Sequence, residues 1–183
     1  MTDARRDRND VTAEEATADE PRTDDRLALA ATVGLLVVPV TVIAGESTYT
    51  LVSLWGLVTV AIAPGGDVAV SGYPIWRYLL EQPLSFGALP TSVRAWPLAL
   101  AFHLLALASA ATGVAWGRED RRVTAGLLVL AGIASLSVAV GIGSRYGLGP
   151  LGAVWRVVPM AAIGAWGCAI ALYGPALREL LGR

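Results

Sequence analysis

Few side chains in this chain could do chemistry in an apolar setting, so each can be weighed. His103 is the single histidine and stands in the run WPLALAFHLLALASAATGVAW from Trp96 to Trp116. Arg156 stands in LGAVWRVVPMAAIGAWGCAIALY from Leu151 to Tyr173. His103 lies seven residues into its run, about 10 Å deep at a helical rise of ~1.5 Å per residue. Arg156 lies five residues in, about 7 to 8 Å by the same rise. With matching depths, the two would share a polar pocket with Glu81 and Asp67 as carboxylate partners. Ionisable groups inside apolar spans usually face a bundle interior or a water-filled cavity, so such a pocket would bind or pass a small polar solute. The plainer reading is that Arg156 snorkels to headgroups and His103 bonds a helix carbonyl. It is favoured because each residue lies within snorkelling reach of an interface.

Other chemistries lack their parts. One histidine and one cysteine, Cys168, rule out an ordinary His/Cys metal cluster and an intramolecular disulfide. No phosphate-binding loop and no G-x-S-x-G elbow is present. No apolar run carries a carboxylate, which weakens a proton-coupled carrier. A net charge of −1 leaves no basic patch for nucleic acid. The expectation is therefore no cofactor, no metal, no catalytic residue and no nucleic-acid partner.

The elements that must position these residues follow from composition. The chain is 55% hydrophobic and 16% charged, against about 25% charged in an ordinary soluble domain. Nine of its fifteen acids lie before Leu27, so the rest of the chain is almost free of charge over long runs. Residues 1–26 cannot bury enough apolar surface to offset ordering, and read as a disordered acidic tail. Four runs approach the ~20 residues that a helix needs to cross a hydrocarbon core: residues 27–45, 96–116, 123–143 and 151–173. Residues 49–63 form a fifth, shorter run, for which a strand, a re-entrant segment and a fifth span all remain open.

Charge placement selects four spans. All fourteen basic residues are Arg. With both termini in the cytoplasm, Arg118, Arg121 and Arg122 fall in an inner loop and Arg178 and Arg183 in an inner tail, as the positive-inside rule asks. The expected fold is thus an all-α membrane bundle of four transmembrane helices in the cell membrane, with a disordered N-terminal tail. Residues 46–95 would form a small extracytoplasmic cap with a strand or hairpin near Tyr49 to Ala63, a turn at Pro64 to Asp67 and a short helix near Ile75 to Glu81. Trp55, Tyr73, Trp76, Tyr78, Trp96 and Tyr146 would mark the outer interface. Ala131, Ser135, Ala139 and Gly143, four apart, would let the third helix approach its neighbours closely.

The runs Leu54-Trp55-Gly56-Leu57-Val58, Leu89-Pro90 and Ala95-Trp96-Pro97-Leu98 resemble a family of small membrane proteins from halophilic archaea. So does Glu119-Asp120-Arg121-Arg122-Val123-Thr124-Ala125-Gly126-Leu127-Leu128. The resemblance covers roughly residues 27–173. It implies a polytopic archaeal membrane protein and assigns no catalytic residue. The functional expectation is a non-enzymatic membrane component that binds a partner or lipid, in a homo-oligomer or a membrane complex. The alternatives are a small-solute permease using the His103 and Arg156 region, and a lipid-headgroup enzyme at the outer face.

Overall fold

The computed structural model describes residues 24–81, 86–145 and 157–182. Helix α1 covers residues 24–37. Strands β1 (Thr41–Ala44), β2 (Thr48–Ser53), β3 (Gly56–Ile62) and β4 (Val68–Pro74) follow, then the short helix α2 (Ile75–Leu80). After a single 3-10 turn come the long helices α3 (Thr91–Trp116) and α4 (Arg121–Arg145). Strand β5 (Val157–Val158) precedes the last helix, α5 (Met160–Leu181).

This architecture corrects the all-α expectation. The run 27–45 is helix in its first part and strand in its second. Its sequence Val37-Val38-Pro39-Val40-Thr41-Val42-Ile43 gives the reason. Proline disfavours helical backbone at the residue before it and removes an N–H, and β-branched side chains suit a strand. The run 151–173 departs in the same way. Val157 and Val158 pair as a strand, Pro159 follows, and the helix starts at Met160; residues 151–156 lie outside the described ones. In place of four helical spans, the described residues hold three helices long and apolar enough to cross a membrane, Thr91–Trp116, Arg121–Ser144 and Met160–Glu179, and a five-stranded antiparallel sheet. Of the N-terminal segment 1–26, residues 1–23 lie outside the described ones and 24–26 belong to α1.

The strand order is β4-β3-β2-β1-β5, and each neighbouring pair is antiparallel. Residues 49–63 are therefore the β2–β3 hairpin, with Leu51 opposite Val58. Gly56 opens β3 at φ +156°, where a Cβ would collide with the Tyr73 carbonyl of β4, so the hairpin corner depends on glycine. At the next corner Gly66 N–H donates to the Ala63 carbonyl at 2.9 Å, and Ala63 N–H to the Asp67 carbonyl at 2.8 Å.

Pairing puts Thr41, Ile43, Thr50 and Val52 on one face, all buried against the helices. Thr59 shares that face through its pairing with Thr50, and the two hydroxyls meet at 3.2 Å. The opposite face carries Val42, Tyr49, Leu51, Val58, Val60, Ile62, Val68, Val70 and Val158. Threonine hydroxyls thus share the bundle-facing side with Ile43 and Val52, while the opposite face is largely hydrocarbon, where a sheet with one face in water would carry polar side chains.

The helices form an antiparallel bundle with α4 in contact with both α3 and α5. Ser109 Oγ lies 2.7 Å from Thr124 Oγ1, and Gly141 receives the side chain of Ser92. These two contacts fix one register for α3 and α4, in which Ala99 faces Ala134. The indole of Trp166 covers Gly132 and donates to the Val129 carbonyl at 3.2 Å. Leu35 of α1 packs on Gly164 of α5. Two clusters result. One, with Ala28, Leu35, Leu128, Ala165 and Tyr173, fills the half near the α3–α4 turn. The other, with Ile43, Val52, Leu54, Trp96, Val138 and Ala161, joins the sheet to the helices.

Candidate functional site

His103 projects from α3 and is completely buried. Its Nδ1 lies 2.7 Å from the Ala99 carbonyl one turn back. A carbonyl only accepts, so Nδ1 carries the hydrogen and Nε2 is the bare acceptor. Nε2 has no hydrogen-bond partner among the described residues, and the same holds for the buried hydroxyls of Ser135 and Thr41. In the α3–α4 register Ser135 sits beside the turn that contains Ala99. A buried acceptor left unpaired costs about 1–3 kcal/mol, so this stretch of the α3–α4 seam is a polar weak point in an otherwise apolar interior.

The other residues expected with His103 are elsewhere. Asp67 is exposed at the β3–β4 corner. Glu81 follows α2 and accepts from the Tyr73 hydroxyl at 2.6 Å and from Arg77 Nε at 2.7 Å. The bond from Tyr73 first, and the one from Arg77 second, hold the Glu81 carboxyl below its ordinary range; the same pairing raises Arg77 and Tyr73. Asp67 and Tyr73 stand at opposite ends of β4, about 20 Å apart at ~3.4 Å per residue, so Asp67 and Glu81 do not converge. Arg156 and Tyr146 lie outside the described residues, as does the Tyr78 side chain. Ala131, Ser135, Ala139 and Gly143 are all buried on α4, where small side chains let the neighbouring helices close in.

The best-connected polar site is one that sequence reasoning assigned to solvent. Gly117 ends α3 in the left-handed conformation at φ +64°, and the chain turns back so that Glu119 reaches under the bundle. There it accepts from the Tyr173 hydroxyl at 2.6 Å. Tyr173 is itself buried, at the point where α5 departs from helical geometry just before Pro175. A Cβ on Gly113 would lie 2.8 Å from the Glu119 Cβ and 3.6 Å from the Asp25 carboxyl carbon, so glycine makes room for both acids. Arg121 approaches Asp25 at 3.5 Å, and Arg122 pairs with Glu179. An open cleft of about 670 Å³ lies among these groups, lined by Arg118, Asp120, Arg122, Pro175 and Glu179 among others. The arrangement ties the start of α1, the α3–α4 turn and the end of α5 together at the end of the bundle opposite the sheet. Only the glycines at 113 and 117 hinted at it, since Tyr173 is 54 residues from Glu119 in sequence.

The sheet end has its own arrangement. Trp96 Nε1 donates to the Ser53 carbonyl at 3.0 Å, and Trp55 Nε1 to the Leu36 carbonyl near the end of α1 at 3.0 Å. Ile75 N–H donates to the Trp55 carbonyl at 2.8 Å. Trp55, Trp76 and Leu80 stay exposed around this level, while none of the strands among the described residues contains a charged residue.

A search of curated proteins finds no match to this chain. Residues 8–183 match the family model described as a domain of unknown function (DUF8050), and the chain belongs to that family.

Proposed function

We propose that the protein is a multi-pass component of the cell membrane that acts by binding rather than by catalysis. The observation that carries this reading is α3. From Trp96 to Trp116 it has no charged residue, and those twenty steps measure about 30 Å, the thickness of a hydrocarbon core. Trp116, exposed at one end, suits an interfacial aromatic belt; Trp96, at the other, is buried and bonded to the Ser53 carbonyl of the sheet. The charge-free part of α4 runs alongside α3, and that of α5 alongside α4. On this reading the cluster of Arg118, Arg121, Arg122 and Arg178 faces the cytoplasm, by the positive-inside rule, and the sheet stands on the outer side. Large outward apolar surfaces, with the Glu81 carboxylate bonded to Tyr73 and Arg77, favour a partner or lipid over a substrate. The resemblance to halophilic archaeal membrane proteins supports the same assignment.

Alkaline carbonate extraction of membranes tests it. The full chain should stay in the pellet and leave only with detergent. Release by carbonate alone would overturn the reading. A second reading, a path for a small solute past His103, draws on the unpaired Nε2 and on the buried, unpaired Ser135 hydroxyl of α4. A binding component should keep its assembly with His103→Leu, which removes the unpaired acceptor. A permease should lose solute flux in proteoliposomes with the same change.

A further inference from the structure

We infer that the open face of the sheet, continued downward by the outer face of α1, is the contact surface for a second copy of this chain. The inference rests on the membrane reading given above.

The sheet itself supplies the first argument. Strand pairing collects Leu51, Val58, Ile62, Val68, Val70 and Val158 on the face turned away from the helices, and all six are exposed. Thr41, Thr50, Thr59 and Ser71 point the other way, together with Ile43, Val52 and Val157. An antiparallel sheet with one face in water carries polar side chains on that face. A face whose polar side chains, among the described residues, are Tyr49 and Ser53, neither of them charged, offers little to a charged partner. It is complementary to another apolar sheet face, and two such faces pack about 10 Å apart in a sandwich.

The second argument is continuity. Ala28, Thr32 and Leu35 turn α1 toward the bundle, just as Thr41 and Ile43 turn β1 toward it. Opposite them, Leu27, Ala30, Val33, Gly34 and Val37 are exposed. They lie on the same outer side as Val42 and Leu51 above them. Ala30 and Gly34 are four apart, and Gly34 has no neighbour within 4 Å of where a Cβ would stand. A small-x-x-x-small pair on a lipid-facing helix allows an identical helix to approach closely.

Symmetry and size select a second copy over another occupant. The buried sheet face packs along the flanks of α3 and α4, from Ala134 to Ile142 on α4, so the open face looks sideways. A two-fold axis along the membrane normal keeps both copies in the same orientation and brings their open faces together, as closed dimers require. Five strands at ~4.8 Å spacing give a sheet footprint of roughly 400 Å². The exposed side of α1 extends the patch to roughly 600 Å², close to the ~800 Å² per partner of a standard interface. Confinement in a membrane raises the effective concentration of the partner and relaxes that requirement.

Single cysteines in a Cys168→Ala background test this in membranes holding the full chain. Val58→Cys and Val70→Cys report the open face, and Ala69→Cys and Ser71→Cys report the other face of the same exposed hairpin. Oxidation, or a short bis-maleimide, should give at least ten-fold more cross-linked dimer at Val58 and Val70 than at Ala69 and Ser71. Adding Gly34→Leu should lower the Val58 yield several-fold without changing carbonate resistance. Equal yields on both faces would overturn the inference. So would no dimer at Val58, whether that cysteine reacts freely with a soluble maleimide or is shielded by lipid or another protein. If the chain leaves the membrane in carbonate, the membrane reading itself has failed; if it stays and remains monomeric, only the dimer has failed.

Discussion

The two ends of the bundle join their helices by opposite means. At the charged end, Glu119, Asp25, Arg121, Arg122, Tyr173 and Glu179 link three segments through hydrogen bonds and ion pairs. At the sheet end the described strands carry no charge, and the joint consists of Leu54, Val52 and Ile43 packed with Trp96 of α3, Val138 of α4 and Ala161 of α5, with two indole N–H groups bonded to backbone carbonyls. The first kind of joint is directional and open to screening by salt. The second depends on shape and excluded water.

Perturbations should separate the two joints by size and by salt dependence. Leu54→Ala carries the largest expected effect. The side chain is fully buried between the hairpin corner and the helices, and such truncations cost about 2–5 kcal/mol. Denaturant unfolding in detergent should show this loss equally at low and high salt. Tyr173→Phe comes next. It removes a hydroxyl bonded to a carboxylate and should cost about 1.5–3 kcal/mol, with the loss concentrated near the kink of α5 in hydrogen exchange. Arg122→Ala should cost at most ~1 kcal/mol, since exposed ion pairs contribute little, and the loss should vanish in molar salt.

The smallest effect belongs to Glu81. Its carboxyl is held below the ordinary range by Tyr73 and Arg77, so its contribution is present above the unfolded-state value and is lost as pH falls through the folded one. The melting temperatures of the wild type and Glu81→Gln should therefore differ slightly at neutral pH and converge in acid. A difference that grew on acidification would contradict the assigned pairing.

How much of this was legible depended on which force shapes each element. The helices α3 and α4 follow from long uncharged runs, because crossing length and apolarity are one-dimensional properties. The first run misled because hydropathy does not distinguish an apolar helix from an apolar strand. The signal that does, the β-branched series around Pro39, was present and outweighed by length. The sheet face was hidden for a related reason: Thr48-Tyr49-Thr50-Leu51 alternates correctly for a strand, but its parity assigns threonine to the interior, against the usual pattern. His103 bonded to a helix carbonyl was expected from the i−4 geometry available to any buried histidine. The charged end was invisible, since nothing local to Glu119 announces Tyr173.

The central claim is that the uncharged sheet and the charged cluster lie on opposite sides of a membrane. Cysteines placed singly at Asp67 and Asp120 in a Cys168→Ala background, treated with an impermeant maleimide on intact cells, test it most directly. The account predicts labelling at Asp67 from outside, and labelling at Asp120 only after the membrane is opened. Labelling of both from outside, or of Asp120 alone, would contradict it.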